Sequence, residues 1–108
     1  GKNRAALESY YHGDQYIQHN PLFGDGVSSL KQALSAAGQG ASFGYDQVHM
    51  VLGEGNFVLV VSELKSPKGI SAAVYDLFRV ENGKIAEHWD VVQEIPAKTE
   101  WKNTNGKF

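Results

Sequence analysis

Cysteine is absent from the 108 residues. That removes a disulfide scaffold, a thiolate metal site and a cysteine nucleophile together, and it fits a cytoplasmic location. The formal net charge is only −2 and no run of lysine or arginine occurs, so the electrostatic footprint of a nucleic-acid partner is missing. No apolar stretch approaches the ~20 residues that a membrane-spanning helix requires. No glycine-rich phosphate loop opens a helix, and no nucleophile elbow is present. The four histidines include no two at helical or hairpin ligand spacing, so no metal is expected.

What remains is an ordinary globular composition, 42% hydrophobic and 20% charged, in a length that allows one domain spanning 1–108. Residues 4–11 read as a short helix with Leu7, Tyr10 and Tyr11 on one side, ended by Gly13-Asp14. Residues 15–20 form a helix end or a short strand running into Pro21, and Asn20 before that proline is expected to be extended. After a loop at 23–26, Ser28 or Ser29 can cap a helix. Its Leu30, Ala33, Leu34 and Ala37 keep helical spacing, and Gly38 stops it. Residues 40–44 are a small-residue linker.

From Tyr45 the period changes to two, with Val48, Met50 and Leu52 alternating with Gln47, His49 and Val51. Residues 57–64 are nearly all apolar, as suits a central strand covered on both faces. The tail after Pro96 is polar and is expected to be loosely held. Helices first and antiparallel strands after them describe an α+β fold, a curved antiparallel sheet with N-terminal helices forming a cone-shaped pocket.

The last hairpin carries the most information. Residues 72–80 and 84–92 flank Glu81-Asn82-Gly83, and Asp76, His88 and Asp90 interrupt its apolar arms. A two-residue turn, Asn82-Gly83, pairs Val80 with Ile85 and puts Asp76 opposite Trp89, with His88 and Asp90 on the other face. A three-residue turn pairs Val80 with Lys84 and sets Asp76 opposite His88, with all three ionisable groups on one face. One residue of register separates the two arrangements, and turn chemistry permits both.

Asp76 lies between Tyr75 and Leu77 in a strongly apolar arm. A carboxyl group held there can stay neutral and donate a hydrogen bond; the competing reading is a solvated aspartate on a wet face. His88 and Asp90 project from one face of a strand, where an aspartate can orient a histidine as a general base; alternatively they form a polar stripe. His19 and Asn20, before the rigid Pro21, are candidates for a pocket mouth, with Phe78 as an apolar lining residue beside Asp76.

At these residues the chain resembles a known family. Tyr16-Ile17-Gln18-His19-Asn20-Pro21, Asp25-Gly26, and the stretch from Phe78 through Gly83-Lys84-Ile85 to His88-Trp89-Asp90 resemble the SnoaL-like polyketide cyclases. These belong to the nuclear transport factor 2-like superfamily, which also holds ketosteroid isomerase. The resemblance covers roughly residues 4–96. It implies a cystatin-like α+β barrel, dimeric through the outer face of its sheet, with a first helix that is shortened here. It also implies cofactor-independent acid/base chemistry. Asp90 matches the family's key aspartate, while Asp76 stands where its partner histidine is usual. Asp76-Leu77-Phe78-Arg79 resembles the oxyanion-hole segment of ketosteroid isomerases, but the base of those enzymes falls at Asn20, which cannot serve as one. The resemblance favours the three-residue turn, with His88 and Asp90 inward and Trp89 outward.

Together these readings give an expected enzyme acting on a small hydrophobic or carbonyl-containing molecule, by aldol-type cyclisation, isomerisation or dehydration. Asp76, His88 and Asp90 are the expected catalytic residues, and His19, Asn20 and Phe78 the expected substrate-binding ones. The alternative is a non-catalytic binding or accessory protein of the same fold; a third reading is a pure dimerisation module. A homodimer burying Trp89 is expected.

Overall fold

The computed structural model describes residues 7–38 and 44–108. Helix α1 (Leu7–Tyr10) leads through a 3-10 turn (Gly13–Gln15) into the short strand β1 (Ile17–Gln18) and helix α2 (Gly26–Gly38). Four long strands follow: β2 (Gly44–Glu54), β3 (Phe57–Lys65), β4 (Ser71–Glu81) and β5 (Lys84–Glu94). They form one curved sheet of order β1-β5-β4-β3-β2. The sheet is mixed and not wholly antiparallel as expected, because β1 lies parallel to β5, with Ile17 opposite Glu87 and Gln18 opposite His88.

Helix α2 begins at Gly26, two residues before the expected serine caps. Gly26 takes φ +83°, its amide donates to the Tyr16 carbonyl at 2.8 Å, and a Cβ there would crowd Asp14. The Gln18 amide donates to Asp25 Oδ1 at 2.9 Å, so β1 and the start of α2 are tied at two points. The expected linker at 40–44 lies largely outside the described residues. In β2 the alternation is interrupted by register shifts before Gln47 and before Met50. Val48 faces Ser62 and Met50 faces Val61, so the bulge sends these two to opposite faces of the sheet.

The β4–β5 turn is the two-residue form. Val80 pairs with Ile85 and Glu81 with Lys84, and both Asn82 (φ 52°) and Gly83 (φ 76°) are left-handed. The three-residue turn favoured by the family resemblance does not form, because Asn-Gly accepts two left-handed residues and closes the tighter loop. Yet the register that this turn starts does not persist. Arg79 pairs with Glu87, so Ala86 is an extra residue, a bulge in β5. Beyond it Phe78 faces His88, Leu77 faces Trp89 and Asp76 faces Asp90. The opposition of Asp76 to His88 or to Trp89, expected from unbroken registers, is replaced by Asp76 against Asp90. The common face of the three groups is restored by the bulge and not by the turn.

One face of the sheet, here the inner face, therefore carries Asp76, Phe78, His88 and Asp90, continued on β3 by Val58, Val60 and Ser62. The outer face carries Leu59, Val61, Tyr75, Leu77, Arg79, Glu87, Trp89 and Val91. Tyr16, Val27, Val61, Ala73, Val74 and Ala86 are buried. The segment after Pro96, expected to be loosely held, makes a 3-10 turn (Lys98–Glu100) and folds back on the sheet. Trp101 Nε1 donates to the Pro96 carbonyl at 2.8 Å, Lys107 bonds Gln93, and Phe108 stacks on His49 at 3.9 Å.

Ser62 is buried with no partner for its Oγ. A buried hydroxyl without a hydrogen bond loses its hydration for nothing. Ser62→Ala is expected to stabilise the fold by about 1 kcal/mol, read as a higher midpoint in urea unfolding.

Candidate functional site

The bulge at Ala86 aims His88 at β4. His88 Nε2 lies 2.7 Å from Asp76 Oδ1, and both groups are buried. Burial of two ionisable groups is tolerated when they bond each other, since each replaces part of the water the other has lost. Phe78 stacks on the His88 ring with centroids 4.9 Å apart. Asp90, directly opposite Asp76, is only half-buried.

Parallel pairing with β5 carries β1 and the residues after it to the same place. The His19 amide donates to the His88 carbonyl at 2.9 Å, extending that pairing past β1. Asn20 Nδ2 donates to both oxygens of Asp90 at 3.0 Å, while its Oδ1 accepts the Leu22 amide at 2.9 Å. The Leu22 contact fixes which way the amide points and hence that Asp90 receives the donor end. Gln18 Oε1 lies 2.8 Å from His88 Nδ1. Tyr16 and Gln18 enter the sequence analysis only as part of the family motif at 16–21, with no role of their own. Their signal was parity along 16–20, which places Tyr16, Gln18 and Asn20 on one side and is weak over so short a strand.

Asp76, His88, Asp90, Asn20 and Phe78 are thus brought together. His19 is not among them. It faces outward, stacks flat on Trp89 at 4.7 Å, and its Nε2 lies 2.6 Å from Glu87 Oε2. Arg79 also turns outward, donating from Nε to Glu87 at 2.8 Å and from Nη1 to Glu81 at 3.1 Å. The Arg79 contact, and then His19, hold the Glu87 carboxyl below its ordinary range. Within Asp76-Leu77-Phe78-Arg79, the segment that resembles an oxyanion hole, the arginine therefore serves the face opposite to Asp76.

Asp76, His88 and Asp90 each offer a ligand atom, all within 4.8 Å of one another. The set has the donor types of a divalent-ion site. Those atoms are, however, already engaged, Nε2 with Asp76 and both Asp90 oxygens with Asn20. An ion would have to replace these bonds. A cavity of about 660 Å³ lies away from the cluster, between the Lys65–Ser71 end of the sheet and Pro96, Trp101 and Phe108.

With this fold and cluster in view, the class is a SnoaL-like α+β domain. The chain belongs to the SnoaL-like domain family, which it matches over residues 1–88. Solved structures that share the fold include two from Streptomyces. TsrD from Streptomyces laurentii has a TM-score of 0.63 at 20% identity, over 83% of this chain and 75% of that one. IdmH from Streptomyces antibioticus, a candidate polyketide cyclase, has a TM-score of 0.58 at 16% identity, over 83% and 80%. No curated protein matches the sequence. No helix among the described residues is long and apolar enough to cross a membrane.

Two tyrosines close the cluster. Tyr11 and Tyr16 meet edge to face at 4.9 Å. Burial, and then neighbouring groups that include Asp76, push both hydroxyls above their ordinary value near 10. A raised folded-state value means that the folded chain keeps protons which the unfolded chain releases at about pH 10. Their contribution to stability is therefore complete below pH 10 and declines as pH rises above it. Tyr16→Phe is expected to flatten that alkaline decline. It should also lose about 1 kcal/mol at neutral pH with the Gln18 bond; urea titrations from pH 7 to 11 measure both.

Proposed function

We propose that this chain is a small-molecule enzyme that performs acid/base chemistry beside a carbonyl, by aldol-type cyclisation, isomerisation or dehydration, without a metal. The observation that carries the reading is a half-buried Asp90 held at both oxygens by Asn20, facing a buried Asp76–His88 pair on one side of the sheet. Asp90 is the general base. It takes the proton from a carbon next to the substrate carbonyl, and the C–H electrons move into the enolate. A proton shared within the Asp76–His88 pair offsets the negative charge that develops on the enolate. The role first expected of Asp76 alone thus passes to the pair, because Asp76 Oδ1 is engaged with His88. In a cyclisation the enolate carbon attacks a second carbonyl of the same molecule, and protonated Asp90 returns its proton to the new alkoxide. Family membership and the likeness to IdmH support a carbonyl-rich substrate of the polyketide kind.

The test is exchange of carbon-bound protons for deuterium in a panel of β-diketones and aryl ketones, followed by NMR. Wild type should accelerate exchange, Asp90→Asn should lose about 10²–10⁴-fold of it, and EDTA should leave the rate unchanged. Saturable binding without exchange would favour the accessory-protein reading. Loss of the exchange activity in EDTA would instead assign the cluster to a metal.

The outer face is proposed as the surface of a homodimer. Leu52, Phe57, Tyr75 and Val91 are exposed there, Val91 by 67%, around the half-buried Trp89. An apolar sheet face of this extent marks an interaction surface. Sedimentation velocity should show a dimer at micromolar concentration, and Val91→Asp should yield a folded monomer. A monomeric wild type would overturn the assignment.

A further inference from the structure

We infer that Gln18 is a positioning residue that keeps a hydrogen on Nδ1 of His88 in every protonation state and so confines the exchangeable proton to the Nε2–Asp76 side. Three contacts determine this. Gln18 Oε1 accepts the Asn20 backbone amide at 3.0 Å, and Gln18 Nε2 donates to the Tyr16 hydroxyl at 3.0 Å. Rotating the side-chain amide by half a turn would set its NH₂ against the Asn20 N–H, two donors facing each other, so the carbonyl oxygen is the atom that meets His88. An oxygen already committed as an acceptor can meet Nδ1 only if Nδ1 donates to it, across 2.8 Å. On the other side of the ring Nε2 faces the Asp76 carboxyl at 2.7 Å.

The consequence is a proton count. With Nδ1–H settled, any further proton of the pair has its place on the Nε2–Asp76 axis, either as imidazolium against carboxylate or as neutral ring against carboxylic acid. Without Gln18 a third arrangement opens. A neutral ring would place its one hydrogen on Nε2, donate it to the Asp76 carboxylate, and leave Nδ1 bare. Gln18 removes this state, and β1 is the element that delivers it, through the pairing of Gln18 with His88. The Tyr16 hydroxyl is the far anchor of the same chain, and its ring is buried.

The functional weight of this inference rests on the acid/base reading above, but its test does not. Two-bond ¹H–¹⁵N correlation spectra of the ¹⁵N-labelled protein show which ring nitrogen carries the hydrogen once the His88 ring is neutral. Wild type should retain it on Nδ1. Gln18→Met, which keeps the side-chain volume and loses the acceptor, should move it to Nε2. Gln18→Glu, which keeps an acceptor oxygen, should restore the Nδ1 pattern. A wild-type spectrum with a bare Nδ1, or an unchanged pattern in Gln18→Met, would overturn the assignment. The exchange assay separates the two ideas. If no ketone is exchanged by wild type but the tautomer follows Gln18, the acid/base reading fails and the positioning role stands. If exchange is present and Gln18→Met leaves both it and the tautomer unchanged, the positioning role fails alone.

Discussion

The single residue inserted at Ala86 decides which groups of the last hairpin meet. A two-residue turn at Asn82-Gly83 starts β5 in a register that, carried straight along, would present His88 and Asp90 to the outer face. The bulge at Ala86, between the Val80–Ile85 and Arg79–Glu87 pairs, reverses that parity and turns both side chains towards Asp76. Turn and bulge together therefore act as one device: the turn closes the hairpin tightly, and the bulge re-aims the strand. Ala86 itself is buried, which suits a small side chain at a point where the backbone kinks.

From that register follows a strict division of the polar groups. Odd positions of β5 send Glu87 and Trp89 outward, where Arg79 and His19 meet them. Even positions send His88 and Asp90 inward, to Asp76, Asn20 and Gln18. The same parity operates along β1 and its extension, so neighbouring residues His19 and Asn20 serve opposite faces. Each buried ionisable group is matched by a hydrogen-bonding partner from another element, which keeps the cost of removing it from water tolerable. The unpartnered Ser62 hydroxyl, two residues from Val60 opposite Asp76, is the exception on that face.

Helix α2 and the tyrosines complete the arrangement from the other side. The Gly26 amide on the Tyr16 carbonyl and the Gln18 amide on Asp25 fix the path of 16–26 against the sheet edge. That path in turn sets the amide orientations of Gln18 and Asn20, so the contacts made to His88 Nδ1 and to Asp90 depend on backbone contacts several residues away. The N-terminal segment contributes little regular structure but most of the hydrogen-bond directionality.

Much of the fold was legible in the chain itself. The change of period at Tyr45, the apolar run of β3 and the Asn-Gly turn specify a helical start followed by long antiparallel strands, because periodicity and turn chemistry are local properties. Asp76, His88 and Asp90 were recognisable as anomalies, since charged groups in apolar arms require an explanation. Which of them would meet was not recognisable. A bulge carries no composition signal at Ala86, and register is decided by the packing of both faces at once. The contacts of Gln18 and Tyr16, the outward turn of His19 and Arg79, and the return of the tail to the sheet depend on elements far apart in sequence. Local chemistry determined which residues had to find partners; only the tertiary structure, by summing burial over whole faces, decided which partners they found.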